Sequence, residues 1–199
     1  MDDSYKTIAA PADGYYTEKR SRFLAFALPV CTEEEVKEQI DGFRKRYHDA
    51  RHVCWAYVLG ATRDRFRVND DGEPSSTAGK PMLGQIHSNG LTDILLVVVR
   101  YFGGIELGTG GLTVAYRTAA AQALAAARIE TRTLDEEITL SFEYPHLNGV
   151  MRAVKEMQPH ILSQSFEMTC RMTLRIRQSD VRTLKNRLLK VESVQIETD

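Results

Sequence analysis

The chain has 199 residues, enough for one large domain or two modest ones, and its 43% hydrophobic and 27% charged content excludes a disordered chain. Formal net charge is −1, with 16 Lys and Arg against 17 Asp and Glu up to Glu130 and 10 against 10 afterwards. A domain-wide positive excess is therefore excluded, and any nucleic-acid binding has to rest on a local patch. Cys31, Cys54 and Cys170 are odd in number and far apart, and the N-terminus shows neither a basic nor an apolar signal region. Reduced thiols and a cytoplasmic protein are expected. The longest strongly apolar run, Ile94 to Val99, is far shorter than the roughly 20 residues of a membrane span, so no membrane association is expected.

In chain order, Arg22 to Val30 has the aromatic and aliphatic density of a buried strand, and Thr32 with Glu35 forms a capping box that opens a helix. Val36, Ile40, Phe43 and Tyr47 recur at helical spacing and form the packing stripe of that helix. His52 to Gly60 and Arg65 to Val68 read as a hairpin turning at Thr62, Arg63 and Asp64. The segment 69–81, NDDGEPSSTAGKP, has no periodicity and is long for a connection, a length usually reserved for functional or disordered loops. Ile94 to Val99 reads as a central strand buried on both faces. It runs through Arg100, Tyr101 and Phe102 into a glycine-rich loop and then an alanine-rich helix beginning near Leu112.

Residues 128–135 read as a charged connector, which divides the chain into expected domains at 1–130 and 131–199. Beyond it the expected order is strand (138–143), helix (145–157), strand (161–168), strand (171–177), helix (179–190) and strand (194–198), the ferredoxin-like arrangement. Met172, Leu174 and Ile176 alternate with Arg171, Thr173, Arg175 and Arg177, so one sheet face is apolar and the other open. The open face lacks the aromatic platforms on which an RNA-recognition sheet stacks bases, and it reads as a protein or ribosomal docking surface.

Three runs carry a resemblance: Ser21-Arg22-Phe23, then Ala50-Arg51-His52-Val53-Cys54-Trp55-Ala56-Tyr57, and above all the pair DDGEPSSTAGKP (70–81) and VVRYFGGIELGTGGL (98–112). In order and spacing they resemble the YigZ/IMPACT family; Ser76 departs from a pattern that tends to have glycine there. The resemblance implies an α+β protein. Its N-terminal domain would have the left-handed βαβ fold shared by a ribosomal protein, a domain of elongation factor G and the GHMP kinases. Its C-terminal domain would be ferredoxin-like, as in that elongation factor. The eukaryotic relative is similar to a translation regulator that competes for the co-activator of a starvation-responsive initiation-factor kinase; its particular partner is not implied here.

Gly103, Gly104, Gly108, Gly110 and Gly111, with Thr109, lie between a strand and a helix N-terminus, where backbone N–H groups favour an anion. They match neither nucleotide-binding glycine pattern, and the same glycines serve equally to make tight turns under a closely packed helix. Arg100, with Tyr101 beside it, emerges at this rim to grip phosphate or carboxylate, or to pair with Asp71 or Glu73. Asp70, Asp71, Glu73, Ser75, Thr77 and Lys80 either complete a ligand surface or bond their own loop backbone. They lack the ligand periodicity of a calcium loop, and His52 with Cys54 is too few for zinc, so neither metal nor cofactor is expected. His52 and Asp71 are the candidates for proton transfer.

Together these features describe a binding or regulatory protein of translation or RNA metabolism, with an anion- or nucleic-acid-binding surface on its first domain. RNA, a ribosome-associated protein or a phosphate-bearing ligand is the expected partner. Two alternatives stand beside it: an enzyme acting on a phosphorylated small molecule, and a protein-interaction scaffold without a small ligand.

Overall fold

Consecutive apolar residues with no alternation can be buried only by a strand covered on both faces, and Ile94 to Val99 are all fully buried. In the computed structural model, which describes residues 3–197, they belong to the middle strand of a five-stranded antiparallel sheet. The chain begins with β1 (Ser4–Ile8), β2 (Ala12–Glu18), β3 (Ser21–Pro29), α1 (Glu33–Arg46), β4 (His52–Leu59) and β5 (Arg65–Asn69). It continues with α2 (Gly79–Ser88), β6 (Ile94–Tyr101), α3 (Gly108–Ala126) and β7 (Ile129–Thr133). The sheet order is β2-β3-β6-β4-β5. Because β3 and β4 are each antiparallel to β6, they run parallel to one another, and β3–α1–β4 is a βαβ unit with β6 inserted.

Helix α1 starts where the capping box places it: the Thr32 hydroxyl accepts the Glu35 N–H at 3.2 Å, and the Glu35 carboxylate reaches back to the Cys31 N–H at 2.7 Å. Its stripe of Val36, Ile40 and Phe43 covers one sheet face, over Val53, Tyr57, Leu95 and Val97. The opposite face is covered by α2 and α3, with Met82, Ile86, Tyr116 and four alanines of α3 packed on Phe23, Cys54 and Val98. Alanine lets α3 approach β2 so closely that a Cβ on Gly14 would lie 2.4 Å from the Ala123 backbone nitrogen.

The chain divides into two compact units, Tyr5–Arg132, and Thr133 onward together with residues 3 and 4. The second unit runs β8 (Asp135–Glu143), a 3₁₀ turn at Tyr144–His146, α4 (Leu147–Met157), β9 (His160–Ser165), β10 (Thr169–Arg177), α5 (Gln178–Leu188) and β11 (Gln195–Ile196). Its sheet order is β11-β8-β10-β9, the ferredoxin-like one, around Leu140, Phe142, Met172 and Leu174. The two helices add Val150, Val154 and Leu184 to that core. Both units are thus α+β. Among the described residues no helix is long and apolar enough to cross a membrane.

Several features differ from the sequence expectation, among them β1, β2 and α2, which no pattern announced, and Gly79 to Pro81, which open α2 instead of ending the loop. Residues 128–135 are not a connector: 129–133 form β7, paired with β1, and β8 starts at Asp135. A two-stranded ribbon is held by its backbone ladder, so apolar periodicity is not required of it. Helix α3 starts at Gly108 rather than Leu112, because glycines tolerate the first helical turn without contributing a sequence signal. β9 ends at Ser165, where the chain turns into β10. β11 covers only Gln195–Ile196, and Thr198 lies outside the described residues.

Helix α5 has no side-chain cap of its own. The Asp3 carboxylate supplies one, accepting the Ser179 N–H at 2.8 Å and the Arg177 Nε–H at 2.8 Å. The hydrogen bond from Arg177, opposed by desolvation and aided by the Ser179 N–H, holds the Asp3 carboxyl well below the usual carboxylate range. A depressed carboxyl stabilises the fold fully above its unfolded pKa, near 4, and loses that contribution as pH falls toward the folded value. Asp3→Asn should therefore lower the melting temperature at pH 7, with a gap to wild type that narrows as the pH drops below about 4. Thermal melts across that range check this; a gap that stays constant would show that the Asp3 charge does not matter.

Candidate functional site

The segment 69–81 is fixed by two aspartates, Asp70 bonding within it and Asp71 tying it to β4. The Asp70 carboxylate accepts the N–H groups of Ser76 at 2.8 Å, Ala78 at 3.1 Å and Gly79 at 2.8 Å, capping α2, whose own N-cap residue Ala78 has no side-chain acceptor. Asp71, held at a φ of 44°, accepts the Val53 N–H at 2.7 Å and meets Arg44 at 3.4 Å. Thr77 donates its hydroxyl to the Pro74 carbonyl at 2.6 Å. These side chains bond backbone and fix the course of the loop.

That course delivers Glu73 to the centre of the unit. Strand register places Phe23, Arg100 and His52 in one row across β3, β6 and β4, and side chains at paired positions share a face. Cys54, two residues along from His52, shares it too. The Glu73 carboxylate receives Arg100 Nη1 at 2.6 Å and the Tyr116 hydroxyl at 2.7 Å on the same oxygen, Oε1. Its other oxygen lies 3.7 Å from His52 Nε2. The ion pair is deeply buried, with side-chain exposures of 6% for Arg100 and 3% for Glu73. Arg100 Nη2 reaches the Ser21 hydroxyl at 3.5 Å, and the guanidinium lies 5.6 Å from the ring centres of both Phe23 and Phe102.

Burial pushes the Tyr116 phenol far up, and the neighbouring Cys54 and Glu73 push it further. Burial likewise raises the Cys54 thiol against the lowering hydrogen bond of Tyr116; the thiol donates to the Asp70 carbonyl at 3.0 Å and is no nucleophile at neutral pH. His52 Nδ1 lies 2.6 Å from the Asp71 carbonyl oxygen, which can only accept. Nδ1 therefore carries the proton, and Nε2 is the atom that can gain or lose one.

His52, Glu73 and Arg100 form one wall of a cleft of about 420 Å³. Arg51, Glu106, Gly108 and Thr109 add further polar lining, while Pro74, Phe102, Leu107 and Leu112 supply the apolar part. Of the residues singled out from the sequence, the cleft brings together Arg100, Glu73, His52, Gly108 and Thr109. Tyr101 points to the opposite sheet face, because successive strand residues alternate; there its hydroxyl donates to Asp49 at 2.9 Å and Arg22 stacks on its ring at 4.8 Å. Asp70, Asp71, Ser75 and Thr77 are not among the lining residues, and Lys80 lines a separate shallow groove with Thr113 and Arg117. Gly103 is structural, since a Cβ there would lie 2.1 Å from the Arg20 carbonyl carbon. Gly104 and Gly108 take positive φ values of 85° and 70°, Gly110 has open space where a Cβ would be, and Gly111 packs on Leu107.

Sequence reading passed over a second groove, of about 740 Å³, lined by Arg20, Arg22, Asp49, Arg51, Tyr101 and Phe102. Its arginines come from two segments, residues 20–22 and Arg51, and only the presence of Arg22 and Arg51 inside two of the specific runs marked them. It joins the cleft through Arg51 and Phe102, which line both. In the second unit the open-face arginines are neutralised: Arg171 pairs with Glu197 at 2.5 Å, Arg175 with Glu137 at 2.7 Å and Arg177 with Asp3. Among the described residues no group of three His, Cys, Asp or Glu is placed to hold a metal ion.

Removing one partner of a buried ion pair strands the other, whereas replacing both with apolar side chains removes the desolvation penalty. Glu73→Ala or Arg100→Ala should each destabilise the first unit by about 3–5 kcal/mol, and Glu73→Leu with Arg100→Met by much less than the sum. Urea denaturation of the variants measures this; additive losses would mean that the two groups do not stabilise one another.

Residues 19–124 match the family model of the Impact N-terminal domain. The chain is 38% identical over 167 residues to the IMPACT family member YigZ of Escherichia coli, covering 83% of this chain and 82% of YigZ. It is 37% identical over 158 residues to the IMPACT family member YvyE of Bacillus subtilis, covering 79% and 73%. A crystal structure described as a hypothetical protein aligns over 100% of this chain and 98% of its own, at 33% identity and a TM-score of 0.75. Family model, relatives and fold agree, and the chain belongs to the IMPACT family.

Proposed function

We propose that this chain is a binding and regulatory protein of translation or RNA metabolism, and that its first unit holds an RNA strand along the groove of Arg20, Arg22 and Arg51. The observation that carries the reading is the concentration of unneutralised positive charge beside aromatic rings in a chain whose net charge is only −1. Among the described residues none of these three arginines is in an ion pair. The one acidic residue of the groove, Asp49, is bonded to the Tyr101 hydroxyl. Phosphates give up condensed counterions to such a patch, and rings beside it stack bases without regard to sequence. Membership of the IMPACT family supports the link to translation.

A second reading, an enzyme acting on a phosphorylated small molecule, is favoured by His52. Its Nδ1 is held by a carbonyl and its ring lines the cleft near Arg51, so Nε2 is available for proton transfer. Asp71 takes no part in that reading, because its carboxylate is engaged by Val53 and Arg44.

Three phosphate contacts on a single strand correspond to a slope of about −2 in log affinity against log salt. Fluorescence anisotropy with a labelled RNA decamer, from roughly 50 to 200 mM salt, should show that slope, and Arg22→Ala or Arg51→Ala should each reduce it by about 0.7. Binding that ignores salt, or variants that match wild type throughout, would sink the groove reading.

A further inference from the structure

The cleft beside the arginine groove, with the helix turn that borders it at Gly108 and Thr109, has three features that the packing of the unit does not explain. Helix α3 opens on it without a side-chain cap and without an acidic residue in its first turn, although a helix leaves its first N–H groups with no partner inside the helix. Arg100 is 5% exposed and lines the cleft, yet its Nε has no hydrogen-bond partner. Buried donors are rarely left unmatched, so this one marks the Arg100 wall of the cleft as incompletely satisfied. Gly110 stands in the first turn of α3 with no positive φ to accommodate, and a Cβ there would meet nothing within 4 Å. Glycine weakens a helix relative to alanine, so neither backbone nor packing favours it at this position.

The lining narrows what could enter. Phe102 is 49% exposed and forms an apolar side with Leu107 and Leu112, large enough in a 420 Å³ cleft for a planar ring. Glu73 is consumed by Arg100 and Tyr116, which leaves Arg51 and Glu106 as the charges at the mouth. Glu106 opposes a doubly charged phosphate more than a singly charged phosphodiester. Arg51 and Phe102 also line the arginine groove, so the cleft lies on the course of a strand held there.

We infer that the cleft takes one nucleotide of an RNA strand, its phosphodiester against the first turn of α3 and Arg51, its base against Phe102. This rests on the groove reading and adds to it an unstacked base, the form in which single-stranded RNA is usually recognised. The glycine of the first turn then has a purpose: it lets phosphate oxygens approach the backbone N–H groups with no Cβ between.

Gly110→Ala provides a test with opposite signs. The variant should melt at a higher temperature than wild type, because alanine favours the helix, and bind a labelled RNA decamer about tenfold more weakly, as expected for a lost charge-assisted hydrogen bond. Phe102→Ala should weaken the decamer by roughly tenfold or more through lost stacking. The dinucleoside monophosphate UpU, titrated by NMR, should shift Gly108, Thr109 and Gly110 amides in wild type and not in Gly110→Ala. If both variants bind the decamer as wild type does while Arg22→Ala weakens it, the nucleotide pocket is overturned and the groove reading stands. If wild type binds neither the decamer nor UpU at low salt, the groove reading falls and this inference with it. If UpU binds and is lost in Gly110→Ala but the decamer does not bind, the pocket is upheld as a dinucleotide site and the strand is overturned.

Discussion

A guanidinium that leaves water has to be met by a negative group, and in the first unit Arg100 meets Glu73. The arginine follows directly on the most apolar stretch of the chain, so strand geometry carries its charge into the interior whether or not a partner is there. Glu73 reaches it from a segment with no regular structure. Most of the hydrogen bonds within 69–81 can be understood as holding that segment in register: Asp70 bonds the start of α2, Asp71 bonds β4, and Thr77 closes the turn after Pro74. Tyr116 on α3 then shares the same carboxylate oxygen, tying the covering helix to the pair. Sheet, loop and helix therefore depend on one another through a single charged contact, and the cleft is the space left beside it.

Both units cap a helix with a carboxylate that does not belong to the helix's own N-terminus. Asp70 serves α2 across the preceding loop, and Asp3 serves α5 from the other end of the chain. A local cap forms with its helix, as Thr32 does for α1. A remote cap forms only when the tertiary fold does, which links helix stability to the docking of the segment that supplies it. The 69–81 segment thus stays ordered without periodicity, because its polar side chains are bonded to backbone donors instead of solvent.

Charge is arranged differently in the two units, although their totals are similar. The arginines on the open sheet face of the second unit sit opposite carboxylates and are cancelled within the face. Those of the first unit gather at one rim with aromatic neighbours. A near-neutral total conceals this difference, since net charge sums over positions that the fold separates.

Elements with a repeating pattern were legible from the amino-acid sequence. Apolar continuity announced β6, the four-and-three spacing with its capping box announced α1, and alternation announced β10, because burial on one face imposes those periods directly on the residues. Strands β1, β2 and β7 and helix α2 carried no such mark: β1 and β7 form a ribbon with little buried area, and α2 is short and capped from a distance. At the site, the sequence by itself determined which residue types were available: an arginine at the end of the central strand, carboxylates in the loop and glycines before α3. Which carboxylate pairs with Arg100, why Tyr101 leaves for the other face, and how Arg20, Arg22 and Arg51 converge were decided by the tertiary structure alone. Strand pairing and loop closure join positions far apart in the chain, such as Ser21 and Arg100 at 79 residues, and no local pattern records a contact whose two halves are chosen by separate parts of the chain.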